Sequence, residues 1–375
     1  MDDKLIPLIK GPQKKWSITK ASRNVLLTVS FFVAGYALIV SLSSDRAGSI
    51  SEFFSLLSAN YGWFLCALAL FFAVVLCETA RFAVMLYMTK KGFKPLLVFR
   101  TAMIGRFYSA VTPFVNGGQG MQAKILNQAK MGRAVSFTIP FAQAFLKTLV
   151  WNFLLLLFFI FNNQQVSVKP WAFVGLIFNG LFPALFFVFS VNEKAAKKIL
   201  GSALKLGARF KIIKNYDSFL ASAWSFLEDL SISVRNIVRN FRGFLLIIIL
   251  YIAEFTAVMS IPFFLFKSVG EDVTYSFMLI SYMYIYLSTT YVPIPGAAGA
   301  YELLFYTVYA DAVKSDMIYW LMLTMRFFTY FFYIGAGYLV QLFDAISARL
   351  KRRRELGKII SEIKTAELNE ESIEE

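Results

Sequence analysis

The sequence predicts an all-α integral membrane protein, with about six full spans and two re-entrant helical hairpins in an inverted-topology repeat. Three observations predict it. Of 375 residues, 58% are hydrophobic and 16% charged, where a soluble domain carries about a quarter charged residues. The apolar residues fall in blocks that reach or approach the roughly 20 residues a bilayer-crossing helix needs. Two further apolar stretches are broken by Pro and Gly, and the charges flanking each place both of its ends on one side.

Taken in order, the segment 1–22 is a basic cytoplasmic N-terminus carrying Lys4, Lys10, Lys14, Lys15 and Lys20, with Arg23 just beyond. Val25 to Val40 reads as a permanent anchor, since no small-residue cleavage site follows it. The loop after it has Arg46 against Asp45 and Glu52, so this span runs outward. Trp63 to Met88 returns to Lys90, Lys91 and Lys94. Leu96 to Val115 leaves from that inside face and comes back to Lys124, Lys130 and Arg133, which makes it a re-entrant hairpin. Val135 to Phe161 runs out and Trp171 to Val191 runs in. The loop 193–242 holds ten basic residues against four acidic ones and is cytoplasmic by the positive-inside rule. It has room for amphipathic surface helices such as Ala195 to Ile213. Phe244 to Phe266 runs out, Val273 to Tyr309 leaves from and returns to the outside, and Met317 to Phe343 ends at Lys351 to Arg354, inside.

The membrane domain thus spans 23–345, with repeat one at 23–161, repeat two at 171–343, and a charged cytoplasmic tail at 346–375. Each half reads span, span, hairpin, span, and the halves start on opposite sides. That is a common plan for secondary transporters, which bind substrate at broken helices near the midplane. Both termini are expected in the cytoplasm and the protein in the cytoplasmic membrane.

Composition also excludes chemistry. The chain has no histidine, which removes Ser-His-Asp and Cys-His catalysis and histidine-ligated zinc. Cys66 and Cys77 lie about 16 Å apart along one helix, too far to bridge. No metal, cofactor or catalytic residue is predicted. The net charge of +15 fits basic loops facing anionic lipid, and no nucleic-acid-binding module is visible.

The candidate site is the pair of hairpin tips with the ionisable residues near them. Aligning the tips sets Pro113 on Pro293, and Gln122 then meets Glu302. Glycine tips permit close backbone approach, and half-helices starting there aim free N–H groups and positive dipole ends at an anion. The first tip supplies Thr112, Pro113, Asn116, Gly117, Gly118, Gln119 and Gln122. The second supplies Pro293, Pro295, Gly296, Gly299 and Glu302. Arg106, Lys147 and Arg326 are candidate ligands for an anionic lipid headgroup, and Glu78, Arg81 and Glu254 balance charge. Ionisable groups inside a membrane are functional candidates by default. The plainer readings stand beside this one. Glu78 and Arg81, spaced i, i+3, can pair with each other, Arg81 and Arg100 can snorkel, and Pro and Gly can be packing devices. Lys147 and Arg326 can instead neutralise Glu254 and Glu302.

At the tips the sequence resembles a known family. Gly105 to Gly132, with Val111-Thr112-Pro113-Phe114 and Gly117-Gly118-Gln119, is similar to the first signature of the lysylphosphatidylglycerol synthase transmembrane region, the flippase-like domain family. Pro293-Ile294-Pro295-Gly296-Ala297-Ala298-Gly299-Ala300-Tyr301-Glu302 resembles the second, with Ala297 where that family usually places glycine. The resemblance covers roughly residues 20–345. It implies a lipid translocase that moves a phospholipid or lipid-linked headgroup, such as aminoacylated phosphatidylglycerol. The implied partners are membrane phospholipids and a separate lipid-modifying enzyme, with room for an oligomer. In the family's multiple peptide resistance factor a soluble domain transfers lysine. Here only the short tail follows the last span, so no such domain is expected and the chain is not read as an enzyme by itself. The rival expectation is a membrane-embedded transferase, or a subunit of a phosphatidylglycerol lysyltransferase-type system. A third is a scaffold or regulator of envelope synthesis.

Overall fold

The computed structural model describes residues 49–89, 94–112, 117–162, 166–209, 216–310, 312, 317–347, 349–350 and 353–354. The predicted first span, the basic lead 1–22, Lys90, Lys91, Pro113, Asn116 and most of the tail lie outside the described residues. Among the described residues every regular element is helical.

α1 (Ile50–Ala59) starts where the Ser49 hydroxyl accepts the Glu52 amide at 3.1 Å, an N-cap. α2 (Tyr61–Met88) follows directly, and α3 (Pro95–Ala110) opens on Pro95, whose fixed φ suits a first turn. α4 (Gly118–Gln128) and α5 (Arg133–Phe161) complete the first half. α6 (Lys169–Val191), α7 (Glu193–Arg209) and α8 (Tyr216–Arg239) lead into the second. There α9 (Phe241–Ser268), α10 (Tyr275–Thr289), a 3-10 turn at Pro295–Ala297 and α11 (Ala300–Tyr309) follow in order. The last segment is α12 (Ile318–Arg326), a π-turn at Phe327–Phe331 and α13 (332–347).

Among the described residues, α2, the 135–161 stretch of α5, and α9 are long and apolar enough to cross a membrane. On α2, Leu65, Phe72 and Leu76 are each at least half exposed. An apolar belt of that kind is unfavourable in water and at home against lipid tails. Of the predicted amphipathic helix 195–213, residues 195–209 are helical within α7 and 210–213 lie outside the described residues.

Helix boundaries recur between the halves. One shift along the sequence carries Tyr61 onto Phe241 and Met88 onto Ser268, so α2 and α9 coincide at both ends. The same shift carries Pro95, the start of α3, onto Tyr275, the start of α10. It is also the shift that sets Pro113 on Pro293. α2 and α9 pack antiparallel along their length. Trp63 meets Phe263 and Phe264 at one end, Arg81 meets Glu254 further along, and Met88 lies against Gly243 at the other. The charged residues Glu78, Arg81 and Glu254 are therefore carried on the central helix pair, buried at 6%, 0% and 0% exposure.

α3–α4 and α10–α11 are helical hairpins. The Gly118 backbone lies against the Gly105 carbonyl, with no room for a side chain, and the Tyr309 hydroxyl donates to the Met278 carbonyl at 3.4 Å. Their arms have 16, 11, 15 and 10 residues. At 1.5 Å per residue the longest reaches about 24 Å, short of a hydrocarbon core of ~30 Å. The π-turn and α13 together run antiparallel to α3: Tyr330 contacts Ala110 at one end and Asp344 pairs with Arg100 at the other.

Candidate functional site

The site is built on four helices that deliver charge to one place. Glu78 and Arg81 come from α2, Arg106 from α3, Lys147 from α5 and Glu254 from α9. Glu254 is the hub. Its Oε1 accepts from Arg106 Nη2 at 2.9 Å and from Lys147 Nζ at 3.0 Å, and its Oε2 lies 2.5 Å from Arg81 Nη1. The last contact has the distance of an ion pair without the angles of a hydrogen bond, so the Arg81 guanidinium nitrogens have no hydrogen-bond acceptor. Arg106 Nε donates to Glu78 Oε2 at 2.6 Å. The i, i+3 expectation for Glu78 and Arg81 is replaced by pairing across helices, and Arg81 is wholly buried rather than snorkelling.

Aromatic rings complete the cluster. Arg81 lies over Tyr251 at 4.3 Å, Arg106 over Tyr333 at 5.1 Å and Lys147 over Trp151 at 4.3 Å. Such contacts partly replace the lost hydration of a cation. Three cations face two carboxylates, a net charge of +1 (3 − 2). Exposure is uneven. The Arg106 and Lys147 side chains are 25% and 24% exposed, while those of Glu78 and Glu254 are 8% and 0%. Arg106 and Lys147 are the partly exposed members, and Arg81 is buried with the two carboxylates.

The second tip has its own buried pair, in which Arg326 Nη2 has no acceptor. Arg326 Nε donates to Glu302 Oε1 at 2.5 Å, and its Nη1 donates to the Gly296 carbonyl at 2.8 Å. The other Glu302 oxygen accepts the Gly299 amide at 2.7 Å, capping α11 and satisfying one of its orphan N–H groups. The guanidinium lies between Tyr301 at 3.9 Å and Tyr330 at 5.6 Å. The turn needs positive φ at Gly296 (62°), Ala297 (50°) and Gly299 (84°). Pro293 is exposed and Pro295 half-buried on the same turn.

In the first hairpin, the Thr112 hydroxyl accepts the Gly117 amide at 2.9 Å and donates to the Tyr108 carbonyl at 2.7 Å. Gln122 is buried over Gly105, and Gln119 is half-buried. The structure therefore brings Glu78, Arg81, Arg106, Lys147 and Glu254 together and gathers Gly296, Gly299, Glu302 and Arg326 separately. Lys147 and Arg326, at matching places in the halves, have different surroundings: one is partly exposed and the other buried.

These contacts belong to a recognisable chain. Residues 25–337 match the model of the lysylphosphatidylglycerol synthase TM region. The chain belongs to that family. No match is found among curated proteins. For this member of the lysylphosphatidylglycerol synthase TM region family, both resembling tip segments fall inside the matched range. The aromatic partners Trp151, Tyr251, Tyr301, Tyr330 and Tyr333 were not singled out from sequence. A signal was present, since Trp151 and Tyr330 each follow a cation of the site by four residues, one helical turn. It is hidden by an aromatic content of 17%.

Proposed function

We propose that this family member is a lipid translocase of the flippase-like kind, moving a phospholipid or lipid-linked headgroup across the cytoplasmic membrane, with aminoacylated phosphatidylglycerol a candidate cargo. The observation that carries the reading is the Glu254 cluster: five ionisable groups inside an apolar helical bundle, two of whose cations are partly exposed. Intramembrane charges are unfavourable and mark substrate or ion pathways. Hairpin arms too short to cross the hydrocarbon core, ending in glycine-bearing turns, give a headgroup a polar surface at depth. The recurrence of helix boundaries at one common shift supports an inverted repeat, with the antiparallel α2–α9 pair at its centre. The tip residues Thr112, Gly117, Gly118, Gln119, Gln122, Gly296 and Gly299 would line or shape that path.

The test is transbilayer movement in proteoliposomes made with purified protein and labelled lipids of different headgroups. Protein-dependent, headgroup-selective movement is expected. Movement no faster than in protein-free vesicles for every headgroup, with and without an imposed ion gradient, would sink the reading.

A further inference from the structure

Pro183 stands inside α6. In an α-helix each carbonyl accepts the N–H four residues on, and proline has none to give. The Asn179 carbonyl therefore lacks its helical donor. Asn152 on α5 supplies one: its Nδ2 donates to that carbonyl at 2.9 Å. A neighbouring helix that satisfies the freed carbonyl is what makes a proline tolerable inside a membrane helix. The side chain of the same Asn179 reaches a third helix. Its Nδ2 donates to Thr290 Oγ1 at 3.1 Å, and the Thr290 hydroxyl donates to the Leu287 carbonyl at 2.8 Å. Thr290 is the cap residue of α10 and lies three residues before Pro293. The contact extends along α6. Ala172 and Gly175, both buried, share a helix face with Asn179 by their spacing. Gly175 lies so close to the Leu287 carbonyl that no side chain fits there. Phe178 meets Tyr291 ring to ring at 6.5 Å.

We infer that Asn152 and Asn179 are positioning residues of the second tip: α5 takes the carbonyl that Pro183 frees, and α6 carries the end of α10 into the turn at Pro293. The inference rests on the translocase reading for its consequence, which is that this tip changes place during transport. The two sides of the turn are held by bonds of different strength. On the far side, Arg326 binds Glu302 and the Gly296 carbonyl through charge-assisted bonds. On the near side, Asn152, Asn179 and Thr290 are neutral. Charge-assisted bonds are roughly twice as strong as neutral ones. The near side is therefore the one that opens and recloses, and the chain from α5 through Asn179 to Thr290 is a reversible catch. Pro183 suits that role, because it leaves α6 one backbone bond short at the residue that carries the catch.

The test uses the full chain in proteoliposomes, with the two free cysteines, Cys66 and Cys77, replaced by Ser. One reporter cysteine is added: Ile294→Cys, half-buried in the second turn, or Gly120→Cys, exposed on the first hairpin. Labelling by a water-soluble maleimide is followed in time. Asn179→Leu and Thr290→Val should each change the rate at Ile294→Cys by about threefold or more and leave Gly120→Cys unchanged. Asn179→Gln, which keeps an amide donor, should stay nearer the parent. An unchanged rate at Ile294→Cys in both variants overturns the inference. So does an equal change at both reporters, which marks general loosening. If Asn179→Leu does not fold, Thr290→Val, close to isosteric, decides alone. A second arm tests the proline. Asn152→Leu should lower the melting temperature, and should lower it much less in Pro183→Ala, where the alanine N–H serves the Asn179 carbonyl. Equal losses in the two backgrounds overturn that link. Transport is measured in parallel and should change wherever tip labelling changes. Altered labelling in a protein whose parent moves no lipid keeps this inference and removes the translocase. A parent that moves lipid, with labelling unaltered in its variants, does the reverse.

Discussion

The Tyr330 hydroxyl donates to the Ala110 carbonyl oxygen at 3.3 Å, while the same ring lies against the Gly296 backbone so closely that a side chain there has no room. One residue of the π-turn thus touches both hairpins, at the end of α3 and at the second tip. π-turns inside helices recur at functional sites, and this one begins directly after Arg326.

Tyr330→Phe removes the bond to the first hairpin and keeps the ring on the second. The expected loss of stability is about 0.5–1.5 kcal/mol. If the tyrosine couples the hairpins during transport, the rate changes more than that loss explains. Thermal unfolding and proteoliposome transport on one preparation decide it, and an unchanged rate leaves Tyr330 a packing residue.

Glu254→Gln leaves Arg81, Arg106 and Lys147 facing one carboxylate, Glu78. Removing one partner of a buried ion pair costs about 3–5 kcal/mol, so this variant should be among the least stable single substitutions in the chain. Lys147→Gln removes the surplus positive charge instead and should cost far less, or stabilise. Melting temperatures of the two variants check the order, and the reverse order would refute the assignment of Glu254 as hub.

Arg326 and Glu302 form a clasp that holds the second turn through Gly296 and Gly299. In a double-mutant cycle of Arg326→Lys and Glu302→Gln, contacting groups show coupling of about 0.5–3 kcal/mol. Coupling of that size is expected here, read from chemical unfolding. Additive losses would mean the two groups act independently.

Ala297 carries φ 50°, the left-handed conformation that L-residues with a Cβ avoid. That strain is about 1–2 kcal/mol, and glycine's extra unfolded-state entropy offsets roughly 0.5–1 kcal/mol of it. Ala297→Gly should therefore stabilise the protein by about 0.5–1 kcal/mol. A lower melting temperature would show that the alanine methyl, which is buried, contributes more than the strain removes.

Gly118 lies against the Gly105 carbonyl and the Ser109 hydroxyl. Small residues at such crossings let helices approach. Gly118→Ala should force the α3–α4 hairpin apart at a cost of about 1–3 kcal/mol. Gly120, with open space beside it, is the matched control: Gly120→Ala should be neutral. Equal effects at the two positions would remove the packing argument.

The sequence by itself determined the membrane class, the long helices α2, α5 and α9, and the interruptions that became the two hairpins. Apolar runs and helix-breaking residues are local properties, readable because the bilayer sets a length and leaves no water to satisfy stray backbone groups. The candidate charges were legible too, since ionisable residues stand out in apolar helices. Their partners were not. The i, i+3 rule joins Glu78 to Arg81, yet Arg81 pairs with Glu254 in the other half of the chain, and Glu78 with Arg106 on the next helix. Sequence symmetry placed Lys147 and Arg326 alike. Only the tertiary structure decided that Lys147 joins a cluster with a surplus cation and stays partly exposed, while Arg326 is enclosed by a carboxylate, a carbonyl and two aromatic rings. The physical reason is that an ion pair inside a low-dielectric bundle forms between whichever groups the helix packing brings within a few ångströms, and antiparallel packing of α2 on α9 sets that independently of spacing along the chain.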